Sequence, residues 1–134
     1  MSNKNPPIVK LVTIDRLKAH EAISQTRGRQ VLRQLVRAQC FTKPILVDKQ
    51  TSMIIDGHHR SYLIKKLGYK KIPALLLDYF SRQITVTSRR PEYKVDKKSI
   101  ITRAKQQRPF PYKTTKHSLA YPLPKIKVNF NELS

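Results

Sequence analysis

The chain has 134 residues, and its 28 Lys and Arg against 8 Asp and Glu leave a formal net charge of +20 at pH 7. That length predicts one domain with one core, read here as an N-terminal tail over residues 1–7 and a domain over 8–134. No apolar stretch approaches the ~18 residues of a spanning helix, MSNKNPPIVK lacks the apolar run of a secretory signal, and the lone Cys40 excludes an intrachain disulfide, so neither a membrane protein nor a disulfide scaffold is expected.

In chain order, Ile8 to Val12 reads as a strand after Pro6 and Pro7, with Asp15 at the turn that follows. From Arg29 to Ala38 the apolar residues Val31, Leu32, Leu35 and Val36 fall at helical spacing, while Arg29, Arg33 and Arg37 recur every fourth residue on another face. Lys43 to Val47 and Met53 to Ile55 are β-prone runs joined by DKQTS, a hairpin turn. DGHHR then leads into a helix over Ser61 to Leu67, closed by Gly68. Ile72 to Leu77 and Ile84 to Thr87 read as strands, Val95 to Ala104 as a helix capped by Asp96, Arg108 to His117 as largely irregular, and Ile126 to Phe130 as an edge strand. The fold class is mixed, α/β or α+β around a small sheet.

The charge favours an anionic ligand, whether nucleic acid, a nucleotide or phosphorylated metabolite, or an acidic surface. All 4 histidines fall in three clusters, LKAHE (17–21), DGHHR (56–60) and KTTKH (113–117). DGHHR carries the sharpest chemistry. A strand ending in an acidic residue, then a glycine and a helix start, presents free N–H groups and the positive end of a helix dipole to a phosphate, while Asp56 suits a divalent cation. Adjacent histidines diverge on a helix, so no zinc is expected there. KTTKH offers hydroxyls, ammonium groups and an imidazole to a phosphate or carboxylate. Taken singly, each cluster also has an ordinary structural explanation as a capped turn or solvated loop.

Together, LKAHE, PILVDKQTSMIIDGHHRSYLIKKLGYKKIPALLLDYF and FPYKTTKHSL resemble the free-serine kinases of the ParB and sulfiredoxin superfamily, over approximately Val9 to Leu133. The resemblance implies an α+β fold, a small mixed sheet flanked by helices, without the extra lobe that characterised members insert before the C-terminal motif. It also implies phosphoryl transfer from ADP or ATP, with Mg²⁺, to the hydroxyl of free serine or a similar metabolite. Carried over by motif, Glu21 is the base and Asp56 the metal-holding and catalytic carboxylate. Gly57, His58, His59 and Arg60 cradle the nucleotide phosphates, and Lys113, Thr114, Thr115, Lys116 and His117 face the substrate. Lys116 stands where the family more often has arginine, a point charge in place of a planar fork.

Sulfiredoxins place a catalytic cysteine in the turn held here by His58, so sulfinic-acid reduction is not expected. Nor is centromere binding, for which the chain has no DNA-reading helical domain. The competing expectation is a basic RNA- or DNA-binding module on the same fold. From Arg82 to Lys127, 13 Lys and Arg face only Glu92 and Asp96, and Tyr93, Phe110, Tyr112 and Tyr121 interleave with them as base-stacking residues do. Arg29, Arg33 and Arg37 would then contact the nucleic-acid backbone. The expected setting is the cytoplasm or another reducing intracellular compartment.

Overall fold

A computed structural model describes residues 7–134; residues 1–6 of the expected tail lie outside the described residues. The elements are β1 (Ile8–Thr13), a 3₁₀ turn at Ile14–Arg16, α1 (Gln25–Ala38), β2 (Cys40–Phe41), β3 (Ile45–Asp48), β4 (Ile54–Asp56), α2 (His58–Lys66), β5 (Lys71–Leu77), β6 (Ile84–Ser88), α3 (Lys97–Gln106), β7 (Thr115–Leu119), β8 (Val128–Asn129) and a 3₁₀ turn at Phe130–Glu132. Among the described residues, no helix is long and apolar enough to cross a membrane.

A four-stranded sheet runs β1-β5-β3-β4, with β5 parallel to β3 and the outer pairs antiparallel, which makes it the expected mixed sheet. Its central strands alternate between two cores. Ile45, Val47, Ile72 and Ala74 pack with Val31 and Leu35 of α1, Leu63 and Ile64 of α2, and Phe41 and Phe130. Leu46, Leu75 and Leu77 face the other way, onto Ile84, Tyr79, Phe110 and Ile100, Ile101 and Ala104 of α3. Strands covered on both faces must be apolar throughout, which is why ILV and ALLL show no alternation in the sequence.

The helices start and stop for local reasons. α1 begins at Gln25, four residues before Arg29, because the Ser24 hydroxyl accepts the Arg27 N–H at 3.2 Å as an N-cap. Asp96 caps α3 as expected, accepting the Ser99 N–H at 2.7 Å, although the helix begins only at Lys97. Gly68 ends α2 at a φ of +93°, donating its N–H to Lys65 O while Tyr69 donates to Ile64 O, a Schellman closure.

Two expectations change. Thr115 to His117 are strand and not loop: β7 pairs antiparallel with β6, His117 opposite Val86. Within Ile126 to Phe130 only Val128–Asn129 is strand, paired with Cys40 and Phe41, because Phe130 turns into the core as a 3₁₀ turn. The expected hairpin is present, its turn closed by the Asp48 carboxylate, which accepts from the Thr51 N–H at 3.0 Å and the Thr51 hydroxyl at 2.6 Å.

Candidate functional site

The turn between β4 and α2 admits only glycine at position 57. Its φ is +110°, and a Cβ there would lie 2.7 Å from Ile45 Cβ and closer still to Ile45 Cγ2. The first intrahelical bond runs from the Ser61 N–H to Gly57 O at 3.0 Å, so the N–H groups of His58, His59 and Arg60 stand outside the helical ladder, at the positive end of α2.

The side chains of this turn bind the chain around it. His58 Nε2 accepts the His20 N–H at 3.2 Å, and His59 Nε2 accepts the Ser24 N–H at 3.0 Å. An imidazole nitrogen that accepts carries no proton, so both rings hold their proton on Nδ1 and present it as a donor. Burial pushes His58 well below the usual imidazole range, aided by the neighbouring His20 and His117, and burial followed by the Arg27 charge lowers His59. Arg60 donates to Lys43 O at 2.8 Å and Pro44 O at 3.4 Å, so its guanidinium fastens the β2–β3 connection against the turn.

Residues 20–22 run beside Phe110. Phe110 donates its N–H to His20 O at 2.7 Å, and Ala22 donates to Phe110 O at 2.8 Å. This places Glu21 over the C-terminal motif, where Oε1 accepts the N–H of Thr115 at 2.9 Å and its hydroxyl at 2.8 Å, and Oε2 accepts the Lys113 N–H at 3.2 Å. Lys113 holds a left-handed φ of +59°, uncommon for a side-chain-bearing residue, and this turn aims the Lys113 and Thr115 N–H groups at one carboxylate.

Beyond Thr115, His117 Nε2 lies 2.7 Å from the hydroxyl of the fully buried Tyr79. Burial, then the charges of Asp48 and Asp96, push the Tyr79 hydroxyl up, so it stays protonated and donates. Burial, with His20 and Lys97 beside it, lowers His117 to about 3. His117 is therefore a neutral ring with its proton on Nδ1. Thr114 does not reach the site: it is fully buried and its hydroxyl donates to Pro111 O at 2.5 Å, closing the turn that carries Lys113.

One cavity of about 700 Å³ joins these groups. Glu21, Asp56, Gly57, His58, His59, Arg60, Lys113, Thr115, Lys116 and His117 all line it, so every expected pocket residue except Thr114 converges there. Arg27, Lys43 and Arg89 add cationic side chains, and Val31, Leu35 and Phe41 form an apolar wall. These residues, with Tyr79 and the buried His20, were absent from the expected site. Signals for some of them were present but pointed elsewhere: the helical spacing of Val31 and Leu35 marked a core, the LKAHE cluster held His20 without giving it a role, and Arg89 counted only toward the basic segment. Arg29, Arg33 and Arg37 are exposed on α1 and outside the cavity, while Phe110 is buried, with Tyr93 and Tyr121 packed against the same core; of the four aromatics expected to stack on bases, only Tyr112 lines the cavity. Among the described residues, no group of three or more His, Cys, Asp or Glu is placed to hold a metal ion, so Asp56 would bind one only with oxygens from a ligand.

No protein-family model matches the chain. Over 100 residues it is 32% identical to the ADP-dependent L-serine kinase of Thermococcus kodakarensis, covering 72% of this chain and 41% of that protein. It is 33% identical over 100 residues to the ATP-dependent L-serine kinase of Desulfurococcus mucosus, covering 70% and 38%. A ParB-like protein of Sulfolobus acidocaldarius is 37% identical over 75 residues, covering 56% and 37%. The chain thus spans about two fifths of the length of these curated relatives. In three dimensions it superposes on free serine kinase with one glutamate replaced by alanine, in complex with AMP, at a TM-score of 0.86 and 17% identity, covering 97% of this chain and 95% of that one. The chain has the free serine kinase fold. SbnI from Staphylococcus aureus, truncated at its C-terminus, shares that fold at a TM-score of 0.81 and 16% identity, covering 93% and 88%. The relatives in sequence carry L-serine kinase and ParB-like names, the branch that the three histidine-bearing motifs resemble, and the neighbours in structure share the fold.

Proposed function

We propose that the protein transfers a phosphoryl group from ADP or ATP to the hydroxyl of free serine or a similar small metabolite. The observation that carries this reading is the position of Glu21. Three N–H and O–H donors fix its carboxylate in the same cavity as the N-terminus of α2, and Oε2, with a single donor, keeps a lone pair for a proton. The sequence relatives carry L-serine kinase names and the solved neighbours of this fold bind AMP or ADP, which supports the same assignment.

In this reading the nucleotide phosphates lie on the N–H groups of His58, His59 and Arg60 and meet the Nδ1 protons of His58 and His59, while Lys43, Arg89 and Lys116 balance their charge. The apolar wall of Val31, Leu35 and Phe41 takes the nucleoside. Asp56, exposed at the end of β4, would hold Mg²⁺ jointly with phosphate oxygens, and the bound ion supplies charge neutralisation at the phosphates. The acceptor oxygen bonds to the terminal phosphorus as the bond to the nucleotide's bridging oxygen breaks, and the hydroxyl proton passes to Glu21. His117 and Thr115 orient the acceptor. Most of the acceleration then comes from positioning and from charge neutralisation.

The test is incubation of the purified protein with Mg²⁺, serine and either ADP or ATP. Phosphoserine above a no-enzyme control is expected with at least one donor; absence of product with both donors, and with a panel of small hydroxyl compounds, would sink the assignment.

A second reading, a surface that binds RNA or DNA, is favoured by one observation. Among the described residues, the 3.0 Å contact of Lys65 with Asp15 is the one ion pair, so the other described Lys and Arg side chains make no direct ion pair with a carboxylate.

A further inference from the structure

The hydroxyl of Thr115 has two neighbours that both want its one proton. Oε1 of Glu21 lies 2.8 Å away and Nε2 of His20 lies 3.1 Å away. The other nitrogen of His20, Nδ1, is 2.8 Å from Ile54 O. A carbonyl oxygen only accepts, so Nδ1 carries the ring proton and Nε2 of the neutral ring is an acceptor. His20 is 1% exposed, and burial lowers it below the usual imidazole range against the opposing pull of the Ile54 bond and of Glu21 and Asp56, which keeps the ring neutral.

A charged acceptor draws a donor more strongly than a neutral one. While Glu21 is ionised the hydroxyl therefore points to Oε1, and Nε2 of His20 waits without a donor. When Glu21 takes a proton that preference disappears, and the hydroxyl is free to turn to Nε2. We propose that the Thr115 hydroxyl is a two-position donor between Glu21 and His20, and that His20, acting through it, is the positioning residue that sets how readily Glu21 accepts a proton. The proposal rests on the reading of Glu21 as the base. The proton gained at Oε2 is the one released by the acceptor hydroxyl; the Thr115 proton stays on Oγ1 and only changes its acceptor. With no acceptor at position 20 the hydroxyl would hold Glu21 in its ionised form, and proton uptake during phosphoryl transfer would cost one hydrogen bond more.

Other titratable and charged groups line the same cavity: Asp56, His58, His59 and Arg60 from the β4–α2 turn, Lys116 and His117 from β7, Arg27 from α1, and Lys43, Arg89 and Lys113 from the connections. The rings of His58 and His117 lie 4.5 and 5.3 Å from that of His20. Their titration also moves the pair's environment, so the decisive measurement compares variants at one pH.

The experiment records the ¹⁵N shift of His20 Nε2 by NMR on the ligand-free protein, near neutral pH, in wild type, Glu21→Gln, Thr115→Val, Thr115→Ser and the double variant Glu21→Gln/Thr115→Val. Removing the carboxylate charge releases the hydroxyl to His20, so Glu21→Gln is expected to move Nε2 upfield. The same change in the Thr115→Val background is expected to leave it in place, and Thr115→Ser to resemble wild type. Equal Nε2 shifts in wild type and Glu21→Gln, or an equal displacement with and without the Thr115 hydroxyl, would overturn the proposal. These spectra need no turnover, so they decide the two-position donor even if the phosphoserine assay is negative. Where turnover is present, Thr115→Val is expected to lower kcat by about tenfold with KM for nucleotide within threefold, and Thr115→Ser to restore it.

Discussion

The Tyr79 hydroxyl, buried between the sheet and α3, donates to His117 Nε2 at 2.7 Å and so decides which nitrogen of His117 faces the cavity. Tyr79→Phe removes that donor while keeping the ring. His117 then loses the bond that fixes its tautomer, at a cost of about 1 kcal/mol. The expected result is a mixture of Nδ1–H and Nε2–H forms in ¹⁵N spectra and a roughly tenfold lower kcat/KM for the acceptor, with nucleotide affinity unchanged. An unaltered His117 spectrum would show that Tyr79 only fills space.

Glu21 and Arg60 line the same cavity and are expected to fail differently. Glu21→Gln keeps the size of the side chain and removes the base, so kcat should fall by roughly two orders of magnitude or more while nucleotide affinity stays within a few fold. Arg60→Ala releases the carbonyls of Lys43 and Pro44 and loosens the wall on that side. Nucleotide affinity should fall first, together with Tm. Calorimetric titration of both variants with ADP and ATP separates these outcomes, and equal loss of binding would make Glu21 structural.

Gly57→Ala is a test of the turn alone. The added Cβ meets Ile45, a residue with no exposed surface, and the backbone stays at a φ that alanine avoids. Left-handed strain of ~1 kcal/mol and a core clash of ~1–3 kcal/mol add in the same direction. Chemical denaturation should show a loss of about 2–4 kcal/mol, and a change under 0.5 kcal/mol would mean the turn relaxes away from Ile45.

The site residues were legible through their motifs, and the parts of the fold legible in the sequence are those that obey local rules. Gly57 after a β-prone run, Asp96 before a helix and Gly68 after one are short-range signals, and the structure puts each to that use. β7 escaped because its inward positions are Thr115, His117 and Leu119: the face that packs inward is the face that carries chemistry, so polarity hid the alternation. Tyr79 escaped, and His20 was noticed in its cluster but given no role, because the meaning of each is a partner 38 or 95 residues away in the chain, His117 and Thr115, and no spacing rule reports such a pair. Thr114 misled for the converse reason, since a hydroxyl inside a polar motif looks the same whether it faces the cavity or closes the turn beneath it.

The imidazoles give the fold an acid limit. His20, His58, His59 and His117 are all held below their ordinary value of 6.5, His117 at about 3. An unfolded chain would bind protons at these four rings below about pH 6.5 while the folded chain would not, so unfolding takes up protons there. Stability is then fully present above pH 6.5 and is lost progressively as pH falls toward 3. Asp96, lowered by its bonds from Ser99, adds a smaller loss of the same sign in the carboxylate range. Tm measured from pH 7.5 down to 4 should hold steady at first and then drop steeply. A Tm that is flat from pH 7 to 4.5 would mean that the rings carry charge in the folded state.

The arginine stripe provides the test of the second reading. Arg29, Arg33 and Arg37 are exposed on α1, outside the cavity, and like charges at this spacing disfavour a helix by a few tenths of a kcal/mol per pair. Replacing all three with glutamine should therefore leave stability unchanged or slightly improved, and phosphoryl transfer intact. If the face binds nucleic acid, affinity for RNA or DNA falls steeply with salt, because each neutralised phosphate releases condensed counterions and contributes about −0.7 to −0.9 to the slope of log K against log salt. The triple variant should then reduce that slope by about two to three units. Fluorescence anisotropy with a labelled single strand and a labelled duplex, from low salt upward, gives the slope directly. A slope near zero for the wild type would remove the nucleic-acid reading, and an unchanged slope in the variant would move the contact to the basic segment between Arg82 and Lys127.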